Sequence, residues 1–118
     1  MTKPIAVPIE VQLIVDALDN KRAKNVVVMD LTGVSESLDY FILAVADSSL
    51  QLRALEESIK EKLKEHGTRP RGIEGPSERW ILLDYGEVVA HLMSQEAREF
   101  YDLEGLWADA KRVNVVPN

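Results

Sequence analysis

The stretch Arg79 to Ser94, RWILLDYGEVVAHLMS, constrains the fold more than any other, because it joins two short apolar runs through Asp84-Tyr85-Gly86. A three-residue connection ending in Gly signals a β-hairpin, since Gly accepts the positive φ of a bulged turn. With Leu83 opposite Glu87, strand alternation places Trp80, Leu82, Val88, Ala90 and Leu92 on one face. Ile81, Leu83, Val89, His91 and Met93 take the other. Both faces are then apolar, and such a sheet must be covered on both sides, by helices of the chain or by another molecule.

A chain of 118 residues with 46% hydrophobic content has the material for one compact domain without staples. It contains no cysteine, which excludes disulfides, thiolate catalysis and cysteine-based metal sites and agrees with a reducing compartment. No apolar run approaches a membrane span and the first residues lack the core of a signal peptide, so the reading is a cytoplasmic protein with no membrane contact. The net charge of −6 argues against direct, sequence-specific gripping of nucleic acid and suits a basic protein partner.

Along the chain, Val11, Ile14, Val15 and Leu18 recur at helical spacing after Pro8, predicting a helix to about Asn20. Val26 to Met29 is β-branched and reads as a strand; Asp30 to Asp39 is rich in turn formers; Tyr40 to Ala46 is a continuous apolar run suited to an inner strand. Ser48 stands three residues before Gln51, the spacing of a capping box, and opens a helix to His66 with Leu52, Leu55, Ile59 and Leu63 as its buried stripe. A short strand fits only at Gly72 to Glu74, and beyond the hairpin Ser94 caps a third helix that Gly105 is expected to interrupt. The fold class is therefore α/β: one domain over residues 4–112 with a mixed sheet of about five strands and flanking helices. Residues 113–118 form a C-terminal tail, and no strand is expected from Lys111 onward. Three helices are few for two apolar faces, so part of the hairpin, or the cluster of Leu103, Leu106 and Trp107, is left for a partner.

The residues offer little chemistry. Neither His66 nor His91 has a second histidine at helical ligand spacing, so no metal site is expected. His91 has two open readings, a partly buried histidine with one nitrogen satisfied by a neighbour, or a hydrogen-bonding member of a recognition surface. Asp84 and Glu87 flank the turn; Asp is favoured there by local hydrogen bonding, whereas Glu87 is free to meet a cationic group. Ser48, Ser49 and Asp39 superficially suggest an anion site, but there is no glycine-rich phosphate loop and Asp47 adds negative charge where a phosphate would sit. No catalytic residue and no cofactor are assigned.

The chain resembles the ribosomal silencing factor family, the RsfS or iojap-related proteins. The resemblance runs through Asp39-Tyr40-Phe41, Ser48-x-x-Gln51, Leu63-Lys64-x-x-Gly67-x-x-Pro70, Glu74-Gly75 and Trp80-x-Leu82-Leu83-Asp84-Tyr85-Gly86-x-Val88-Val89-x-His91. It continues as Arg98-x-Phe100-Tyr101-x-Leu103-Glu104-x-Leu106-Trp107-x-Asp109-Ala110. The chain departs from that pattern at Leu38, at Ala46-Asp47, at Glu87, where the family's frequent Asp is replaced with the charge kept, and at Ala90, which replaces a frequent Val.

The resemblance implies a fold shaped like that of nucleotidyltransferases without their catalytic residues, and a binding role in place of an enzymatic one. Proteins of this kind attach to the large ribosomal subunit through its protein fourteen, block joining of the small subunit when nutrients are scarce, and in some cases form homodimers. On this chain the expected contact set is Trp80, Leu82, Asp84, Tyr85, Glu87 and His91, with Asp39, Tyr40, Ser48 and Trp107 as a secondary set.

Overall fold

The computed structural model describes residues 7–75 and 77–118. Along them the chain forms α1 (Ile9–Asn20), β1 (Lys24–Asp30), β2 (Tyr40–Val45), α2 (Ser49–Glu65), β3 (Gly72–Glu74), β4 (Trp80–Asp84), β5 (Val88–Met93), α3 (Gln95–Tyr101), α4 (Leu103–Leu106) and β6 (Lys111–Val113). The start of the expected domain, at residue 4, lies outside the described residues.

The strands make one mixed sheet in the order β3-β4-β5-β2-β1-β6. β2 and β5 pair in parallel at its centre and every other pairing is antiparallel. That arrangement follows from local chemistry. The central strands are apolar throughout, and all six residues of β5 are buried, as an inner strand covered on both faces requires. The parallel pairing is possible because α2 carries the chain back across the sheet between β2 and the later strands.

Both long helices lie on the same face. Val11, Ile14, Val15 and Leu18 of α1 and Leu52, Leu55, Ile59 and Leu63 of α2 pack against Val28, Ile42, Ala44, Ile81, Leu83, Val88, Ala90 and Leu92. Pro8 ends the approach to α1, its carbonyl accepting from the N–H groups of Val11 and Gln12. Ser48 caps α2 by accepting from the Gln51 N–H at 3.0 Å. The Gln51 side chain accepts from the Asp47 N–H at 2.6 Å and donates to the carbonyls of Lys21 and Arg22, fastening the start of α2 to the end of α1.

Four expectations are corrected here. The sheet has six strands: Lys111–Val113 pairs antiparallel with Val28–Asp30, and beyond it Val115 packs on the core while the Asn118 N–H donates to Asp16, so these residues are no free tail. The hairpin register is shifted by three, with Leu83 opposite Ala90 and His91 opposite Leu82. The cause is the turn: Tyr85 N–H donates to the Val88 carbonyl, closing a two-residue loop of Gly86-Glu87 in which Gly86 alone has positive φ, at 91°. An odd shift exchanges the faces of β5, so Trp80, Leu82, Val89, His91 and Met93 share one side, and Ile81, Leu83, Val88, Ala90 and Leu92 the other.

The last correction concerns the third helix, which breaks at Asp102 and not at Gly105. Asp102 takes a left-handed conformation, φ 42°, and its carboxylate accepts from the Gly105 N–H at 3.1 Å to cap α4. A Cβ at position 105 would collide with that carboxylate, so Gly105 serves the cap inside α4.

Candidate partner-binding face

Among the described residues the second face of the sheet has no long helix over it. Met29, Leu31, Phe41, Leu43 and Val89 form its buried floor, and Leu103, Trp107 and Ala110 cover only the part over β1 and β2. Trp107 meets Phe41 edge-on, with ring centroids 5.8 Å apart. Over β4 the face opens into a groove of about 680 Å³ between the strand and α3, floored by Trp80, Leu82 and Ala97 and walled by Phe100 and Tyr101. Glu74, Ser77, Arg79 and Glu96 make its rim.

A row of rings crosses this face. Tyr101 lies 4.6 Å from Trp80, Trp80 5.8 Å from His91, His91 4.6 Å from Phe41, and Phe41 leads to Trp107. Phe100 extends the row outward, 5.0 Å from Tyr101. Exposure falls along the row, from Phe100 at 80% to the buried His91 and Phe41, and Leu106 of α4 is also mostly exposed. Large apolar groups held in water beside a half-covered sheet, with a charged rim, have the composition of an interface core and its border.

His91 sits at the middle of the row, 4% exposed. Its Nδ1 accepts from the Trp80 indole N–H at 3.1 Å, so the neutral ring carries its proton on Nε2, which has no partner among the described residues. Burial pushes the imidazole down to about 4, and it is uncharged at neutral pH. Of its two sequence readings, the buried histidine with one satisfied nitrogen is the one found.

α3 is held in place by Arg98. Its guanidinium donates to Glu104 at 2.7 Å and to the Asn25 carbonyl at 2.6 Å, and Glu104 also meets Arg112 at 3.1 Å. The Arg98 guanidinium beside Glu104 holds that carboxyl below its usual range. Asn25 lies in the irregular stretch of β1 between Lys24 and Val27, with φ 50°, which turns its carbonyl toward the arginine.

The remaining predicted contacts are scattered. Trp80 and Leu82 lie half-buried on the open face, and Asp84 shares their side of β4, where its carboxylate accepts from the Gly86 N–H at 2.7 Å, the local role that a turn aspartate performs. Tyr85 packs against the core beneath the helices; burial pushes its hydroxyl up to about 12, and the hydroxyl oxygen has no partner among the described residues. Glu87 is exposed at the turn, and its carbonyl accepts from Asp39 and Tyr40, so these three gather at one end of β2 and β5. Ser48 stands at the other end of β2, occupied by its cap, and Trp107 lies across the open face on Phe41. Sequence reasoning passed over Phe100, Tyr101 and Phe41. The signal was present for two of them: adjacent aromatics on a seven-residue helix cannot both face the core.

Among the described residues no group of three or more His, Asp or Glu side chains is placed to hold a metal ion, and no helix is long and apolar enough to cross a membrane.

Comparison with known proteins follows the same lines. The family model described as "Ribosomal silencing factor during starvation" matches residues 4–118. A ribosomal silencing factor of Bacillus subtilis is 39% identical over 95 residues, covering 80% of each chain. A mouse protein named for mitochondrial assembly of the ribosomal large subunit is 29% identical over 107 residues, 87% of this chain but 47% of its own. A crystal structure of a protein from Chromobacterium violaceum superposes with a TM-score of 0.83 at 33% identity, covering 88% of both chains.

Proposed function

The chain belongs to the ribosomal silencing factor family, and from that premise we propose that it represses translation by steric exclusion. It docks on the large ribosomal subunit through that subunit's protein fourteen and keeps the small subunit from joining when nutrients are scarce. The observation that carries this reading is the half-covered aromatic face. One side of the sheet is sealed by α1 and α2, while the other leaves Trp80, Leu82, Phe100 and Tyr101 around an open groove. Anchors of this kind, ringed by charge, dominate the energy of protein interfaces. The net charge of −6 supports a basic partner and faster encounter with it.

The action is that of a binding protein in the cytoplasm, with no chemical step and no cofactor. A second copy of the chain on the same face would compete with the ribosome. The test is sedimentation of purified large and small subunits with saturating protein: the expected result is a large-subunit peak carrying the protein and a depleted joined peak. Normal joining under those conditions would falsify the proposal.

The mouse relative's name favours a second reading, an assembly factor for the large subunit that uses the same face. Depletion in growing cells separates the two. Accumulated large-subunit precursors would support assembly, whereas mature subunits that stay joined through starvation would support silencing.

A further inference from the structure

We propose that His91 is a positioning residue for Trp80: its Nδ1 fixes the indole in the orientation that the open face presents to a partner. The inference rests on the reading of that face as the ribosome-binding surface, and it goes beyond it by assigning a role to a side chain buried beneath that face.

The argument begins with cost. A buried imidazole whose Nε2–H has no partner is an expensive choice beside Leu43 and Leu82, which occupy the neighbouring positions on the flanking strands. An apolar residue would avoid that expense. It would also remove the acceptor of the Trp80 indole N–H, which is the imidazole's one hydrogen bond. Phe41, edge-on to His91 at 4.6 Å with planes 79° apart, holds the imidazole from the opposite side. The imidazole therefore cannot swing away, and the indole it holds is stacked in turn against Tyr101. Trp80 is the half-buried member of the pair, facing the groove, and His91 is the fixed one beneath it. An anchor ordered before binding loses less freedom on docking, which raises affinity without adding a contact.

Two measurements test this in the full chain. Nitrogen-15 NMR of the wild type should find His91 neutral with its proton on Nε2; a proton on Nδ1 makes the hydrogen bond impossible and overturns the proposal. His91→Leu should shift the Trp80 indole N–H signal and speed its exchange with water, the assignment being made by its loss in Trp80→Phe. The same variant should weaken binding to purified large subunits about 3- to 10-fold, the range for ordering one large side chain. His91→Asn, whose amide oxygen falls near the place of Nδ1, should restore both. An unchanged indole signal in folded His91→Leu, or a freed indole with unchanged affinity, overturns the proposal. If His91→Leu does not fold, the tautomer and the Asn variant decide. If the wild type itself does not bind large subunits, the functional reading fails, and the two NMR results alone decide whether His91 positions Trp80.

Discussion

Arg98 of α3 donates to the backbone carbonyl of Asn25 at 2.6 Å, linking the third helix to a distortion in the first strand. The same guanidinium binds Glu104 at 2.7 Å, so a single buried side chain ties α3, α4 and β1 together. Removing it takes the donor from the Asn25 carbonyl and leaves Glu104 with Arg112 alone. Arg98→Ala is expected to cost about 2 kcal/mol in urea unfolding, the scale of a lost charge-assisted hydrogen bond. Arg98→Lys should recover less than half of that, because a point charge cannot span two acceptors that a planar fork reaches together.

His91 makes stability depend on pH in a window of its own. Its folded value is depressed to about 4 from an ordinary 6.5, so between those values the unfolded chain binds a proton that the folded chain refuses. The contribution is therefore fully present above pH 6.5 and lost as the pH falls toward 4. Between pH 7.5 and pH 5 the wild type should lose about 2 kcal/mol. Glu104, held low by Arg98, acts in the same direction but only below the ordinary carboxylate range. Urea titrations at the two pH values check this: in His91→Leu the difference should largely vanish, and a loss of the same size there would sink the assignment to His91.

Gly86 meets two demands at once. Its φ of 91° suits the first position of the two-residue turn, and an added Cβ would lie 2.9 Å from the Arg71 guanidinium carbon. Gly86→Ala should cost about 1–3 kcal/mol. Gly33 has open space around it and no left-handed strain, so Gly33→Ala should change stability by less than about 1 kcal/mol, in the stabilising direction. Thermal melts of the two variants side by side would show whether turn geometry carries the difference.

The elements were legible because their patterns are local. The 3.6-residue stripes of α1 and α2, the Ser48 cap and the apolar run of β2 depend on neighbours within a few positions. The hairpin register was not, since Gly86 with its positive φ serves equally as the last residue of a three-residue turn or the first of a two-residue turn, and that choice decides which face every side chain of β5 takes. β6 escaped for another reason: Lys111-Arg112-Val113 has no alternation of its own and becomes a strand only beside β1. The break at Asp102 depends on a non-glycine residue in the left-handed region, a choice that no composition signals. The expected contact set joins Tyr85 with Trp80 because both belong to the hairpin, although they lie on opposite sides of the sheet.

The extent of the docking footprint can be measured along the hairpin. Trp80 pairs with Met93 at one end of β4, while Glu87 lies in the turn beyond Asp84 at the other. Four steps of antiparallel strand separate Trp80 from Asp84, roughly 14 Å, so the two residues report on different parts of a surface. Trp80→Ala removes a central aromatic anchor and should lower affinity for the large subunit by about 30-fold or more. Glu87→Lys reverses an exposed charge without touching the core; it should leave the melting temperature unchanged and weaken binding by about 3-fold, mainly through association rate and less so at high salt. Equilibrium binding and stopped-flow association at two salt concentrations separate these effects. If Trp80→Ala weakens binding and Glu87→Lys does not, the footprint is confined to the groove beside α3. Unchanged binding by a folded Trp80→Ala would place the partner on another surface altogether.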